Sequence, residues 1–440
     1  MNRLLIVTCF LVNSFAAAGE MPQKPNILLF LADDLGYADI GANGCQDIPT
    51  PHVDAIASQG VRFTDGYATH SVCSPSRAGL MSGMYQHRFG FEHNSGPERY
   101  ASPAFGMPRD VPSLAEKLQA AGYATGMVGK WHIGFQEGLR PHERGFDYYY
   151  GFLSGARSYY PDSPREFDPI IRNGVRVTDE TEYLTDAFAR ESVDFIERSK
   201  DRPWFLYLAF NAVHSPLEAT PKYEARFPHI SDPKRKTYAG MLSALDDAVG
   251  RVMAKVRELG QEENTLVMFY SDNGGPTAET TSRNDPLRGY KGQMFEGGIR
   301  VPFVMQWKGK IPAGQTYREP VMGFDCHATA LAAAGVDELG RRDVAGAFAL
   351  AHLFNAGIQR AFGDFEQFRR LVDHVLAMHF AGGHAHGFQK RPAARRAYQY
   401  LRRDRRRPAG DRRPAGPGDR TVEHEPGADP RGQGGDPLHH

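Results

Sequence analysis

Short apolar runs alternate with amphipathic stretches along residues 24–335. Four runs have the length and continuity of buried strands: residues 27–32, 125–128, 204–210 and 265–270. Residues 112–121 and 238–259 instead carry apolar side chains every three or four positions. These two stretches stop at Gly122 and Gly260, as amphipathic helices do. The alternation predicts an α/β fold built on a mainly parallel sheet.

Polar or ionisable side chains follow each of the four predicted strands. In chain order the four groups are Asp33 with Asp34, Lys130 with His132, Asn211 with His214, and Asp272 with Asn273. Ligands of open α/β sheets bind beyond the carboxyl ends of the strands, so the four groups predict one shared site. Taken singly, each group also fits an ordinary polar loop or turn.

The first and fourth groups offer hard oxygen ligands. The carboxylates of Asp33, Asp34 and Asp272 and the amide oxygen of Asn273 suit Ca²⁺ or Mg²⁺ rather than zinc or copper. The alternative for the first pair is a helix cap, and for residues 272–275 it is a tight turn. The ligand types do not separate Ca²⁺ from Mg²⁺.

A further motif, Cys-Ser-Pro-Ser-Arg, occupies residues 73–77. Pro75 and Ser76 favour the first turn of a helix, so we predict that a helix begins near Cys73. A helix N-terminus favours an anion, and Arg77 lies four residues on, on the same helix face as Cys73. The alternative is that Cys73 is a small buried apolar residue, the commoner fate of a free cysteine.

This motif resembles the signature of the sulfatase family, within the alkaline-phosphatase-like superfamily. A second family signature, Gly-Tyr-x-Thr-x-x-x-Gly-Lys-x-His, stands intact at residues 122–132, and shorter matches follow in family order over residues 24–335. They include residues 25–27, 33–36, 50–54, 214–216, 271–274 and 296–298. The resemblance implies a large mixed, mostly parallel sheet sandwiched by helices and a catalytic domain at 24–335. The implied activity is hydrolysis of sulfate monoesters of aryl or carbohydrate alcohols.

The resemblance also implies the chemistry of individual residues. A maturation enzyme would oxidise Cys73 to formylglycine, whose hydrate supplies the nucleophile. The implied ligands of a divalent cation, expected to be Ca²⁺ with Mg²⁺ as the alternative, are Asp33, Asp34, Asp272, Asn273 and an oxygen of residue 73. Arg77 and His132 would bind and activate the diol. Lys130, His214 and Lys291 would contact the sulfate and protonate the leaving oxygen, with the division of acid work between His214 and Lys291 left open.

Two other functions stay open at this point. Some relatives in the superfamily carry the same Cys-x-Pro-Ser-Arg string and hydrolyse phosphonate or phosphate esters. A protein with an unmodified Cys73 would be an inactive binder of sulfated glycans. We expect specificity to lie in loops such as 92–107 and 153–168. Arg157, Tyr159, Tyr160 and Arg165 in the second loop would suit a sulfated sugar, or equally an ordinary exposed loop.

The N-terminus predicts export. Arg3, a mostly apolar stretch at 4–12 and alanines at 16–18 form the pattern of a signal peptide over residues 1–18. No later stretch reaches about 18 consecutive apolar residues, so we expect a periplasmic or extracellular protein with no stable membrane insertion and no nucleic-acid partner. Removal of the signal peptide with Cys9 would leave Cys45, Cys73 and Cys326. A disulfide between Cys45 and Cys326 is then possible.

The last hundred residues differ from the rest in charge. Residues 341–440 hold 17 arginines and one lysine against 11 acidic residues. We predict atypical, partly helical structure for 336–389 and disorder for 390–440, which is dominated by Arg, Gly, Pro and Ala. The small antiparallel-sheet domain that usually ends such sulfatases is therefore missing or replaced. The segment is either a basic arm for a polyanionic substrate or, as we favour, the product of a frameshift in a GC-rich gene.

Overall fold

The computed structural model describes residues 24–94, 106–161 and 169–336. The strands in these ranges are β1 (Asn26–Ala32), β2 (Val61–Phe63), β3 (Gly66–Tyr67), β4 (Ala124–Lys130), β5 (Tyr148–Phe152), β6 (Ile171–Arg172), β7 (Val175–Arg176), β8 (Trp204–Ala209), β9 (Thr265–Ser271), β10 (Phe303–Gln306), β11 (Gln315–Tyr317) and β12 (Val321–Met322). The helices are α1 (Pro51–Ser58), α2 (Cys73–Ser82), α3 (Leu114–Ala120), α4 (Leu184–Ser199), α5 (Pro221–Glu224), α6 (Pro233–Glu258), α7 (Thr277–Thr280), α8 (Glu296–Ile299) and α9 (Gly323–Ala333).

Ten of these strands form one sheet, in the order β11-β2-β10-β9-β1-β8-β4-β5-β6-β7. The five central strands, from β9 to β5, all pair in parallel. Antiparallel pairing is confined to the flanks, where β10 joins β9 to β2 and β6 joins β5 to β7. Strands β3 and β12 form a separate parallel pair. The prediction of a large mixed, mostly parallel sheet is confirmed.

Apolar cores cover both faces of the central sheet. Alternate residues of β1 point to opposite sides, with Leu28 and Phe30 in one core and Ile27 and Leu29 in the other. Helices α4 and α6 fill the first core, and α2, α3 and α9 fill the second. Each fully buried aliphatic side chain contributes about 1.5–3 kcal/mol, which explains why these strands are apolar throughout. Helices therefore sandwich the sheet, as expected.

The four predicted strands match β1, β4, β8 and β9 to within three residues at each end. The helix predicted at 112–121 is α3, which begins after Ser113 in a capping box with Glu116. The predicted start of the long helix at residue 238 was five residues late, because α6 begins at Pro233. The first turns of α6 are polar and carry no apolar period. The start of α6 is instead fixed by the N-cap residue Asp232, whose side chain accepts a hydrogen bond from the Lys234 N–H.

The two remaining cysteines lie on opposite sides of the sheet. Cys45 packs against the core formed with α4 and α6, whereas Cys326 belongs to the core formed with α2, α3 and α9. Both are free thiols. A disulfide needs Cα atoms within about 7 Å, so the sheet between them prevents the pairing that the cysteine count left open.

The predictions for the two ends of the chain fall outside the described residues. These are the signal peptide at 1–18 and the segments from 337 onward, including the expected absence of the C-terminal antiparallel-sheet domain. Among the helices within 24–336 that the structure describes, none is both long and apolar enough to cross a bilayer.

Candidate active site

The sheet order brings the four polar groups to one edge. Strands β9, β1, β8 and β4 are neighbours in the sheet. Asp272 follows the end of β9, Asp33 the end of β1 and Asn211 the end of β8. Lys130 is the last residue of β4, and His132 follows it. Backbone hydrogen bonds continue past the strand ends and fix the loops. The Asp272 N–H donates to the Ala32 carbonyl at 3.1 Å, and the Asp33 N–H donates to the Ala212 carbonyl at 2.9 Å. The structure therefore places the sequence-predicted groups in one site.

Helix α2 presents Cys73 to this edge. Cys73 is its first residue, after Val72 in extended conformation, and all ten residues of the helix are buried. The Cys73 Sγ lies 3.4 Å from Asp33 Oδ1 and 3.9 Å from Asp34 Oδ1. One ligand atom from each of Asp33, Asp34, Cys73 and His214 lies within 4.8 Å of the others. These four residues form a group that could hold a metal ion.

Each carboxylate of the site has a basic partner. Lys130 Nζ lies 2.5 Å from Asp33 Oδ2, and Lys291 Nζ lies 2.7 Å from Asp34 Oδ2. Arg77 contacts Asp272 Oδ2 through both Nε and Nη2, each at 2.8 Å. These pairs leave the three carboxylates balanced by three cations. The acidic and basic side chains of these pairs thus neutralise one another.

The charges shift the pKa values within the site. Burial alone would raise the pKa of Asp33, but Lys130, His214 and Arg77 overcome it and hold the pKa below its usual value. Burial, with the charge of Asp33, raises the pKa of Asp272 to about 6. Burial also raises the pKa of the Cys73 thiol well above its ordinary value, even though Lys130 and Lys291 oppose the shift. An unmodified Cys73 is therefore a protonated thiol and a poor nucleophile.

The chemistry of the donors fits a hard divalent cation. Asn273 is fully buried and its Nδ2 donates to Asp34 Oδ1 at 2.7 Å and to the Gly274 carbonyl at 3.0 Å. Its Oδ1 has no hydrogen-bond partner among the described residues. A buried acceptor without a partner costs about 1–3 kcal/mol, which coordination to a cation would offset. The residues present thus fit Ca²⁺ or Mg²⁺ through carboxylate and amide oxygens.

The expected ligand set and the observed group differ in part. Asp33, Asp34 and Cys73 are in both, whereas His214 belongs only to the observed group and Asp272 only to the expected set. Asn273 lies beside the observed group, with Nδ2 at 2.7 Å from Asp34 Oδ1. Asp272 is turned toward Arg77 through Oδ2, while its Oδ1 accepts the Asp34 N–H at 3.2 Å. His214 instead approaches with Nε2 at 3.6 Å from Asp34 Oδ2.

His132 and Arg77 are both buried at the junction of α2 with β4. Arg77 Nη1 donates to the Lys130 carbonyl at 2.9 Å, and the Ser74 hydroxyl donates to the His132 carbonyl. His132 has a φ of +64°, an uncommon conformation for a residue other than glycine. A Cβ on Gly155 would lie 2.5 Å from His132 Nε2, so the glycine makes room for the imidazole.

The site is closed except on one side. Asp33, Asp34, Arg77 and Lys130 have side chains that are at most 1% exposed. The side chains of Lys291 and His214 are 16% and 17% exposed. Among the described residues of the site, Lys291 and His214 therefore mark the side that is partly open to solvent.

Two asparagines that the sequence analysis missed hold the site together. The Asn94 side chain accepts the N–H of Ser74 at 2.9 Å, next to Cys73. Asn284 forms hydrogen bonds in both directions with the backbone of Gly275, just after Asp272 and Asn273. Neither asparagine follows a predicted strand or marks the end of a predicted helix. Only the hydrogen bonds in the folded structure therefore reveal their role.

Residues of the loop that begins at residue 153 are buried and bonded within the protein, whereas its composition suggested a surface for substrate. Tyr159 is fully buried, and its hydroxyl donates to the carbonyls of Asn211 at 2.6 Å and His214 at 2.8 Å. The Tyr160 hydroxyl donates to the Ala219 carbonyl at 3.1 Å, and Arg157 is only 5% exposed. Tyr159 therefore fixes the His214 loop and is not a contact for a sugar. Arg165 lies outside the described residues.

Comparisons with known proteins agree with this geometry. A family profile described as Sulfatase matches residues 25–336. N-acetylgalactosamine-6-sulfatase from Sus scrofa is 35% identical over 346 residues, which cover 74% of this chain and 65% of that protein. Arylsulfatase G from Mus musculus is 32% identical over 426 residues, covering 84% of this chain and 78% of that protein.

Solved structures add to the sequence matches. The structure of Ps i-CgsB in complex with k-i-k-neocarrahexaose is 42% identical, with a TM-score of 0.69, and the match covers 72% of this chain and 73% of that one. The PsFucS1 sulfatase from Pseudoalteromonas sp. is 31% identical, with a TM-score of 0.62, over 71% of this chain and 68% of that one. This chain spans 64–66% of the length of the curated N-acetylgalactosamine-6-sulfatases that it matches. On the profile match and these identities, the chain belongs to the sulfatase family.

Proposed function

We propose that this chain hydrolyses sulfate monoesters with a formylglycine made from Cys73 and a bound divalent cation, Ca²⁺ in the first place and Mg²⁺ as the alternative. The observation that carries the proposal is the position of Cys73. It begins a buried helix, 3.4 Å from Asp33, in a site where three carboxylates meet three cationic side chains. The proposed catalytic domain spans residues 24–335.

The nucleophile follows from the chemistry of the aldehyde. Hydration of formylglycine at position 73 gives two geminal hydroxyls. One hydroxyl attacks sulfur while the bond from sulfur to the alcohol oxygen breaks, which leaves a sulfated residue 73. The second hydroxyl then loses its proton, the carbon–oxygen bond to sulfate breaks, and the aldehyde re-forms. A serine lacks the second hydroxyl and would stop at the covalent intermediate, whereas an unmodified Cys73 is a protonated thiol and would not attack.

The side chains around position 73 support this sequence of steps. Arg77 and His132, at the start of α2 and the end of β4, hold and activate the diol. Lys130 binds a sulfate oxygen beside Asp33. Asp33, Asp34, Asp272 and Asn273 would hold the cation with an oxygen of residue 73. When bound, a divalent cation neutralises charge on the sulfate oxygens and stabilises the transition state.

The leaving oxygen needs a proton donor on the open side of the site, where Lys291 and His214 lie. Lys291 is the better donor. Asp34 and the other nearby anions raise the pKa of Lys291 despite burial, so it remains an ammonium. Burial lowers the pKa of His214, and its Nδ1 lies 2.5 Å from the Ser215 carbonyl, which leaves a neutral ring without a proton on Nε2. We therefore assign the proton to Lys291.

The relatives favour a sulfated carbohydrate as the substrate. The 42% identical structure binds a neocarrahexaose, and several curated relatives are named N-acetylgalactosamine-6-sulfatase, while others are named arylsulfatases. Sulfate release should be measured from N-acetylgalactosamine 6-sulfate, neocarrahexaose and 4-nitrophenyl sulfate. Turnover of 4-nitrophenyl phosphate and of a phenylphosphonate ester should be measured separately for comparison. We expect the sulfate esters to be turned over faster. Preferred turnover of the phosphorus esters would favour the phosphonate or phosphate hydrolase alternative.

We further propose that the protein is exported to the periplasm or the extracellular space and is matured there or on the way by a formylglycine-generating enzyme. The support is the pattern of residues 1–18. N-terminal sequencing of the mature protein tests it, with a start near residue 19 as the expected result.

The proposed frameshift after about residue 335 is tested by translating the other two frames of the gene. Family-like sequence in one of them is expected.

A further inference from the structure

Three large apolar side chains are exposed together in the loop that carries Lys291. The exposed fractions are 47% for Tyr290, 68% for Met294 and 44% for Phe295. Across the described residues only two other large apolar side chains, Tyr85 and Val175, are exposed. Single exposed apolar residues are ordinary, but three within six positions of one loop point to a contact surface.

The backbone of this loop is held on several sides. The Gly292 N–H donates to the Ser71 carbonyl at 2.8 Å, two residues before Cys73. Within the loop, the Gln293 N–H donates to the Tyr290 carbonyl at 3.0 Å and the Gly297 N–H to the Arg288 carbonyl at 2.8 Å. The exposed side chains therefore project from a fixed frame, which reduces the entropy lost when a ligand packs on them.

The loop also borders the open side of the site. Lys291 reaches Asp34 at 2.7 Å, and it is one of the two site residues that are partly exposed. Tyr290 precedes it directly. An alcohol whose sulfate lies between Lys130 and Lys291 would thus extend from the site past this loop.

A positive charge lies over the ring of Phe295. The guanidinium carbon of Arg288 is 4.0 Å from the centre of the Phe295 ring. Arg288 is exposed and forms no ion pair among those found in the described ranges. Its guanidinium can bind a sulfate or carboxylate with two parallel hydrogen bonds.

We propose that Tyr290, Met294, Phe295 and Arg288 form a platform for the saccharide part of the substrate. The flat, C–H-bearing face of a pyranose ring would pack on the aromatic and thioether groups. Arg288 would bind an anionic group on a neighbouring sugar. This inference rests on the proposed sulfatase function and deepens it. It specifies an anionic oligosaccharide, and not a lone aryl sulfate, as the substrate for which the loop is built.

The test compares two substrates in two variants. The double variant Tyr290→Ala/Met294→Ala removes two of the three apolar side chains of the platform and leaves Lys291 in place. Val175→Ala is the matched control for loss of an exposed apolar side chain elsewhere. Values of kcat/KM are measured for neocarrahexaose and for 4-nitrophenyl sulfate. Inhibition by inorganic sulfate reports whether the sulfate site is intact.

We expect the platform variant to lose about tenfold or more in kcat/KM for neocarrahexaose, with less than about a threefold change for 4-nitrophenyl sulfate and for sulfate inhibition. The Val175→Ala protein should match the native one. Equal losses on both substrates, or no loss on either, would overturn the platform. So would a change in oligomeric state on gel filtration without a kinetic change, because the surface would then contact a second copy of the chain.

Failure of the underlying function looks different. A native protein that releases sulfate from 4-nitrophenyl sulfate but not from neocarrahexaose overturns the platform and leaves the sulfatase assignment standing. A formylglycine-containing native protein that hydrolyses neither substrate overturns the sulfatase assignment itself.

Discussion

The side chain of Asn284 forms a reciprocal pair of hydrogen bonds with the backbone of Gly275. Its Oδ1 accepts the Gly275 N–H at 3.0 Å, and its Nδ2 donates to the Gly275 carbonyl at 2.8 Å. The same Nδ2 lies 3.4 Å from the Gly289 carbonyl, so one buried carboxamide joins the Asp272 turn to the loop that carries Lys291. Asn284 thereby positions two parts of the site without touching the substrate.

Removing this carboxamide should weaken cation binding as well as the fold. We expect Asn284→Ala to lose about 1–3 kcal/mol of stability, because the buried Gly275 N–H loses its acceptor, whereas the Gly275 carbonyl keeps the Thr277 N–H at 3.1 Å. The sharper readout is Ca²⁺ affinity of the folded protein, measured by titration well below the melting temperature, which should fall. Asn264→Ala, which removes a half-buried asparagine whose Nδ2 donates to the Lys24 carbonyl, is the matched control. Unchanged affinity in Asn284→Ala would mean that Asn284 acts on stability alone.

Loss of Asp33 should destabilise the protein because Lys130 would remain buried without its partner. Both side chains are fully buried and lie 2.5 Å apart. Removing one member of such a pair costs about 3–5 kcal/mol. Urea unfolding of Asp33→Ala should show this loss, and the double variant Asp33→Ala/Lys130→Met should recover much of it while remaining inactive. A double variant that is no more stable than Asp33→Ala would contradict the pairing as the cause.

Asp325 should make stability depend on pH. Burial raises its pKa to about 7, although the Met322 N–H donates to Oδ2, and Oδ1 has no hydrogen-bond partner among the described residues. A raised pKa means that the folded protein favours the protonated acid. This contribution is complete below the unfolded pKa near 4 and is lost as pH rises to about 7.

Asp325→Asn should therefore gain stability relative to the native protein across this window. We expect the difference in unfolding free energy to grow with pH by at most about 1.4 kcal/mol per unit between pH 4 and 7 and then level off. Asp179→Asn, at an exposed position, provides the comparison. A difference between native and Asp325→Asn proteins that stays constant with pH would show that Asp325 is not titrating in the folded state.

The assignment of the proton to Lys291 predicts a dependence on the leaving group. An alcohol that leaves poorly needs a proton more than an acidic phenol does, and a positioned acid contributes about 10²–10⁴-fold. Lys291→Ala should therefore lose far more kcat on a sugar sulfate than on 4-nitrophenyl sulfate. His214→Ala should lose a similar factor on both. The reverse pattern would transfer the acid role to His214.

Much of this arrangement could be predicted from the sequence because it is local. The apolar runs of β1, β4, β8 and β9 and the polar residues after each strand are contiguous patterns, and parallel topology then places their ends together. The start of α2 at Cys73 follows from Pro75 and Ser76 in the same way.

The remainder depends on contacts between distant parts of the chain. Arg77 pairs with Asp272 across 195 positions, and no local pattern indicates that this carboxylate turns toward Arg77 and His214 toward Asp34. Tyr159 illustrates the same limit. The composition of its loop suited a sugar contact, but Tyr159 is buried and its hydroxyl donates to the Asn211 and His214 carbonyls, so it supports the His214 loop.

The most direct test of the account is the mass of the peptide that contains residue 73, measured on the same preparation as sulfate-ester turnover. We expect an aldehyde or its hydrate at this position, activity in proportion to the converted fraction, and no turnover by Cys73→Ala or Cys73→Ser. Full turnover by a protein whose residue 73 is entirely an unmodified thiol would contradict it.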